Sequence, residues 1–241
     1  MARRWGCRER RRSSSTASAL NPPPSRTSRT RSSRPWRSDQ VTTPIRSGSD
    51  RALAGLLVVG GLIGFVASFV LVLEKLALLA DAAYTPTCSL NPVLNCGSIM
   101  KTDQAELFGF PNPLIGVAAF PVLTGAGVAL VAGLRPPRWY WWGLQSGVTL
   151  GAAFVGWLIF QSLYRIGALC PYCMIVWAVV IPVFWYVTLR NAERGLFGSA
   201  VATSRVVGVL REWHLLGLTL LVLVVVTLIA EQFWYYWQTL V

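Results

Sequence analysis

The sequence predicts an all-α membrane protein, a four-helix transmembrane bundle followed by a fifth transmembrane helix, and three observations carry that expectation. Hydrophobic residues make up 54% of the 241-residue chain and charged ones only 13%, too apolar a balance for a domain wetted on all sides. Five stretches are long and apolar enough to cross about 30 Å of hydrocarbon as helices. The net charge of +12 is also lopsided: thirteen of the twenty-two Lys and Arg lie in residues 1–51, against three acids, and the other 190 residues carry nine basic and seven acidic side chains. Together these exclude a soluble globular enzyme, a disulfide-dense secreted miniprotein and a large multidomain protein.

Residues 1–50 are mostly Arg, Ser, Thr and Pro. With so little apolar surface to bury, the segment cannot offset its ordering entropy and reads as a disordered basic tail. Its composition also has the look of a transit peptide, and Arg3-Arg4 is a weak twin-arginine hint, but no apolar stretch follows until Ala52. A solvated cytoplasmic arm attracted to anionic lipid fits best. Nucleic-acid binding is disfavoured, since no aromatic interleaving or folded reader accompanies the charge.

The first span is 52–73, free of charge throughout, the second 113–134 and the third 139–163, wetter, with Gln145, Ser146 and Gln161. The fourth runs from about 170 to 189 and is broken by Pro182; the fifth, 215–230, extends into an aromatic belt of Phe233, Trp234, Tyr235, Tyr236 and Trp237. His214 stands at the start of that last helix, a place for a capping or interfacial role. The expected organisation is therefore a tail (1–50), a bundle (51–190) with one long loop (81–112), and a cytoplasmic linker with the fifth helix (191–241).

Basic residues near helix ends set the orientation. With the tail cytoplasmic, Arg135, Arg138, Arg190, Arg194, Arg205 and Arg211 share its side, and only Lys75, Lys101 and Arg165 lie opposite. This places loop 81–112 and the 165–170 junction outside the cytoplasm, and with them four of the five cysteines: Cys88, Cys96, Cys170 and Cys173. Thiols there can become disulfides and remain so. Cys7 falls in the tail and has no assigned role. Ala-, Gly-, Val- and Arg-rich usage suggests a GC-rich bacterium, and the expected location is the bacterial inner membrane.

Cys170-Pro171-Tyr172-Cys173 has its own logic. Pro171 suits the first helical position, which sets Cys170 at the N-cap and Cys173 one turn on, with Cα atoms roughly 5–6 Å apart, within reach of a disulfide. The open N–H groups and dipole of a helix start favour a thiolate, so the motif reads as a redox pair. Two alternatives stay open: structural disulfides bracing the bundle, and a four-cysteine zinc site, against which the seven-residue gap between Cys88 and Cys96 counts. Haem attachment fails because Met174 follows the motif where histidine is needed. Two dithiols on one side form a possible relay, and without a dinucleotide, flavin or haem motif its terminal acceptor would be a quinone in the bilayer.

The chain resembles the vitamin K epoxide reductase family in its bacterial branch. The resemblance covers roughly residues 52–190 and rests on three features in order: Cys88 and Cys96 after the first span, the run Phe108-Gly109-Phe110-Pro111-Asn112-Pro113-Leu114-Ile115-Gly116, and the Cys-x-x-Cys at the head of the fourth. It implies a four-helix bundle enclosing a quinone, menaquinone or ubiquinone, near Cys170 and Cys173, with no metal. It further implies that Cys88 meets the thiol of a DsbA-like periplasmic partner, that Cys96 passes electrons to Cys170, and that Cys173 faces the quinone. Asn112, Thr102 and Trp177 would stand on the quinone side. Asn112 matches a quinone-contacting asparagine, though a turn residue between two prolines is the competing reading, and Thr102 matches a family hydroxyl, with a helix cap as its alternative. Trp177 departs from the tyrosine of the mammalian enzymes and puts epoxide reduction in doubt. Phe108, Phe110, Phe120, Trp157 and Trp177 are candidates to line the pocket. The resemblance ends without the fused thioredoxin-like domain of many bacterial members.

The expected function is thus a membrane thiol:quinone oxidoreductase supporting protein disulfide formation. Its rivals are a thiol-driven vitamin K-type quinone or epoxide reductase running the other way, and a non-enzymatic scaffold or transporter braced by disulfides.

Overall fold

A computed structural model describes residues 48–81, 83–234 and 238 of the chain. The basic segment before residue 48, Cys7 included, and residues 235–237 of the aromatic belt lie outside the described residues. In chain order the helices are α1 (Gly48–Ala80), α2 (Cys96–Met100), α3 (Pro113–Val131), α4 (Arg138–Gln161), α5 (Pro171–Glu193), α6 (Ser199–Ala202), α7 (Arg205–Glu212) and α8 (His214–Gln232). A 3-10 turn (Asp103–Glu106) precedes α3, and a π-helical turn (Ser162–Ile166) prolongs α4. Five of these helices, α1, α3, α4, α5 and α8, are long and apolar enough to cross a membrane. The protein is therefore an all-helical, multi-pass membrane protein; no strand forms among the described residues.

Two boundaries differ from the sequence expectation for physical reasons. Helix α1 does not stop at residue 73 but continues through Glu74 and Lys75 to Ala80. Both charges are buried there, 7% and 8% exposed, and both are hydrogen-bonded, so they end no helix. Pro182 was expected to break the fourth span, yet α5 runs unbroken past it. Proline removes a single backbone donor, and within a packed bundle neighbouring groups compensate for it. Within the linker the Ser204 side chain accepts from Val207 N–H and starts α7.

Helix α3 lies along α1, α1 packs on α5, and α5 packs on α4. The α1–α3 approach depends on missing side chains: a Cβ on Gly61, Gly64 or Gly116 would run into Thr124, Phe120 or Ser68 of the facing helix. At one end of the bundle the core is Leu53, Ala54, Leu57, Trp141, Val183 and Val187. Between α3 and α4 close packing stops, and a cavity of about 660 Å³ runs there from the cysteines toward Tyr140. Gly143, Gly147 and Gly151, one turn apart on α4, line it, and a Cβ on any of them would meet open space. Helix α8 buries no residue fully; its Leu228 and Ile229 rest with Phe233 on Leu163, Leu169 and Trp177.

Candidate active site

The loop between α1 and α3 delivers two cysteines to the head of α5 by a chain of local causes. Asn91 accepts from the N–H groups of Val93 and Leu94 at 3.0 and 2.7 Å, a turn that reverses the chain. Asn95 then caps α2, accepting from Ser98 N–H at 3.0 Å, so that Cys96 becomes its first residue. The decisive link is backbone pairing: Asn95 N–H donates to Leu169 C=O (2.9 Å) and Leu169 N–H to Val93 C=O (2.7 Å). Asn95 and Leu169 are the residues immediately before Cys96 and Cys170. Joining them brings the two sulfurs to 3.1 Å.

The cysteines are in two redox states. Cys88 and Cys96 form a disulfide with Cα atoms 5.6 Å apart, whereas Cys170 and Cys173 are free thiols. All but Cys173 are buried, within a cluster that includes Leu71, Leu78 and Met100. The sulfurs of Cys88, Cys96 and Cys170 lie within 4.8 Å of one another.

Cys170 is the N-cap residue of α5, just ahead of the span, with Pro171 at the first helical position as its sequence implied. Its pKa lies below the ordinary cysteine value. The Cys173 thiol is the largest cause, and the backbone N–H groups of Tyr172 and Cys173 add to it, pointing toward the sulfur without closing a formal cap; burial and the Glu74 charge act the other way. A thiolate is the nucleophile in disulfide exchange, and here it stands at a near-attack separation, about 3–3.5 Å, from a disulfide sulfur.

The cavity begins at this cluster. Cys96, Cys170, Cys173, Lys75, Asn112 and Trp177 line it, and apart from cysteines its ionisable wall groups are Lys75 and Tyr140. Three buried polar atoms of wall residues have no partner among the described residues: Trp177 Nε1 and Gln161 Oε1 near the cysteines, and Tyr140 OH at the far end. Such atoms are costly unless a ligand or water meets them. Trp177, one helical turn past Cys173 and 4% exposed, lines the cavity with its indole N–H unpartnered among the described residues, where its sequence position had implied ring stacking.

The remaining candidates divide. Asn112 lines the cavity, but its side chain ties down the preceding turn, donating to Gln104 C=O (2.7 Å) and accepting from Leu107 N–H (3.2 Å). One amide N–H remains beyond these bonds. The Thr102 hydroxyl donates to Ile99 C=O at 2.7 Å, and the residue is not part of the cavity wall. Of the aromatic candidates Phe120 and Trp177 line the cavity; Phe108 and Phe110 are exposed and stacked at 6.0 Å, and Trp157 stacks on Phe154, which does line it. His214 opens α8, its Nδ1 2.9 Å from Arg211 C=O.

Sequence reasoning missed the two charges at the end of α1. Glu74 accepts from Tyr84 OH (3.0 Å), from Thr87 N–H (3.3 Å) and, in a short bond, from the Thr87 hydroxyl. Lys75 donates to Met100 C=O (2.7 Å) and pairs with Glu106 (2.8 Å). The signal was a Glu-Lys pair at the end of an otherwise uncharged span, where unpartnered charges would be unfavourable.

Fold and site thus define a class, multi-pass helical membrane proteins with redox-capable cysteines beside an apolar cavity. A sequence model of the Vitamin K epoxide reductase family matches residues 55–188, more than half of the chain, and the protein belongs to that family. No curated protein matches it in sequence. Membership makes it an oxidoreductase; the family's proteins use quinones, and its domain carries thiol-dependent quinone or epoxide reductase activity, generally linked to thioredoxin-like partners.

Proposed function

We propose that the protein is a membrane thiol:quinone oxidoreductase that reoxidises a DsbA-like thioredoxin-fold partner on the periplasmic side and passes the electrons through two cysteine pairs to a membrane quinone. The observation that carries this reading is the 3.1 Å between the sulfurs of Cys96 and Cys170. A partner thiolate attacks Cys88, forming a mixed disulfide and releasing Cys96 as thiolate; the partner's second thiol then resolves it, leaving the partner oxidised and both outer cysteines reduced. Cys96 attacks Cys170 of an oxidised inner pair, and Cys173 leaves as thiolate. Cys88 resolves the Cys96–Cys170 bond, restoring the outer disulfide and leaving the inner pair as a dithiol. The arrangement of the four cysteines, Cys88–Cys96 closed with Cys170 and Cys173 open, supports this reading.

A quinone bound in the cavity supplies the acceptor for two electrons and two protons. Two orphaned wall atoms near the cysteines suit it: Trp177 N–H can donate to a carbonyl oxygen, and Gln161 Oε1 can accept from a hydroxyl of the reduced ligand. Cys173 lies on the cavity wall with Trp177 one turn away. Asn112 holds residues 104–112 in place over the cavity and keeps a free N–H for the same ligand. Thr102 acts through the loop alone.

The test is to make Cys173→Ala and resolve the protein on non-reducing gels. A trapped Cys96–Cys170 disulfide, lost on further replacing either residue, together with a Cys88-dependent adduct to a periplasmic thioredoxin-fold protein, is the expected result. Should each single cysteine variant still oxidise a reduced partner in the presence of quinone, the relay is wrong.

A further inference from the structure

The geometry points to Glu74 as a latch that governs access to Cys88, a positioning role distinct from the sulfur chemistry. This rests on the exchange reading above, in which a partner's sulfur must reach Cys88. In the structure it cannot do so directly: Cys88 is 4% exposed, its side chain turned inward between exposed Thr87 and half-buried Ser89. Segment 84–88 must lift before a partner–Cys88 disulfide can form and Cys96 can leave as thiolate.

The side-chain hydrogen bonds made by Tyr84 and Thr87 in that segment converge on one carboxylate. Glu74, 93% buried by its 7% exposure, receives the Tyr84 hydroxyl and both the N–H and the hydroxyl of Thr87. On the far side of Cys88, Ser89 donates to Asn95 Oδ1 (3.1 Å) and accepts from Gly97 N–H (3.3 Å), which ties it to the cap of α2. Thr87 therefore marks the side that opens and Ser89 the side that hinges. The segment around Cys96 is held differently, by the backbone pairing to Leu169, by the α2 cap and by Lys75 on Met100 C=O and Glu106. Two neighbouring side chains on α1 thus hold the two halves of the loop: Glu74 the half that must move, Lys75 the half that must stay so that Cys96 remains beside Cys170. The Tyr84 phenol has a raised pKa, chiefly because it donates to Glu74, and so remains a donor through the neutral range.

The test reads accessibility and needs neither quinone nor partner. In a background with Cys96→Ala the outer disulfide is gone, and Cys88 stays in its apolar cluster with the latch on one side and the hinge on the other. Its reaction with a membrane-impermeant maleimide is expected to accelerate about tenfold or more in Glu74→Ala, and several-fold in Thr87→Val and Tyr84→Phe, since the rate follows the open population. Glu74→Gln, which keeps one acceptor oxygen, is expected to restore part of the protection. Thr87→Val and Tyr84→Phe leave the Glu74 charge in place, so reaction of Cys170 with a membrane-permeant maleimide should stay unchanged in both; acceleration there too would mean general loosening and would overturn the latch. Equal Cys88 rates in the parent and in all the latch variants would overturn it as well, and if Glu74→Ala fails to fold, the two milder variants decide. Loss of the Cys96–Cys170 trap in Cys173→Ala would sink the exchange reading while leaving the latch readable.

Discussion

The two ends of the bundle both bury polar side chains, but they use them for different things. At the end away from the cysteines the partners are other helices. Asp50 of α1 meets Arg190 and Arg194 at the end of α5 (3.5 and 2.7 Å), and the Arg190 guanidinium lies 3.2 Å over the Trp141 ring of α4. Asn191, fully buried, donates to Gln145 Oε1 (2.9 Å), whose amide in turn donates to Thr149 (3.1 Å) and Thr188 (2.9 Å). Each bond fixes one helix against another or braces a turn of α4. At the cysteine end the partners are loop residues, and two polar atoms on the cavity wall, Trp177 Nε1 and Gln161 Oε1, have no partner among the described residues. One end is a clamp and the other a mechanism: the satisfied network fixes the frame on which sulfurs can change partners.

The largest effect that would break this comparison lies at the sulfurs. Cys96→Ser is expected to lower quinone-dependent oxidation of a reduced partner by about 10³-fold or more, as loss of an obligatory nucleophile does. Next comes the clamp. Asn191→Ala strands Gln145 Oε1 in the core and should cost about 1–3 kcal/mol of stability, read as a lower unfolding temperature. The Cys96–Cys170 trap should still form in that variant. If it were lost together with stability, the two ends would be one cooperative unit and the distinction drawn here would fail.

A third, smaller effect separates position from stability within the cysteine end. Lys75→Met removes the hold on Met100 C=O and Glu106 without touching a sulfur or the α2 cap. The rate at which Cys96 and Cys170 are trapped in Cys173→Ala should fall about tenfold, the scale on which sub-ångström misplacement acts. Trapping at the parental rate would mean that the backbone pairing to Leu169 suffices alone.

These contrasts also explain what the sequence could and could not reveal. The five spans and the placing of Cys170 and Cys173 at the head of α5 were legible because they depend on local signals: hydropathy run length, Pro171, and the spacing of two cysteines. The approach of Cys96 to Cys170 was implied by family resemblance alone, because it is produced by backbone bonds between Asn95 and Leu169, and backbone pairing leaves no residue-type signature. Glu74 and Lys75 were read as the end of a span because charge was scored without its partners. Trp177 was read through its ring; its indole N–H became informative only when packing left it buried without an acceptor. The inward turn of Cys88 was equally hidden, since a cysteine in a long loop gives no sign of which way it points.

The smallest predicted effect concerns the charge state of Cys170 and tests whether the cysteine end works through electrostatics as well as position. Its pKa is lowered mainly by the Cys173 thiol, with the N–H groups at the start of α5 assisting, and is opposed by burial and by the Glu74 carboxylate. Reaction of Cys170 with a membrane-permeant maleimide should therefore rise with pH through a midpoint below that of an ordinary cysteine, and fall away as pH drops beneath that midpoint and the thiolate is protonated. In a background with Cys88→Ala and Cys96→Ala, where no outer cysteine can trap Cys170, Cys173→Ala removes the largest favourable influence and should move the midpoint up. Glu74→Gln removes a charge that disfavours the thiolate and should move it slightly down, although the same substitution loosens the loop around Cys88. Opposite shifts from Cys173→Ala and Glu74→Gln would separate the electrostatic role of each residue from its place in the packing. A midpoint that ignored both would mean that the open end of α5 alone sets the reactivity of Cys170.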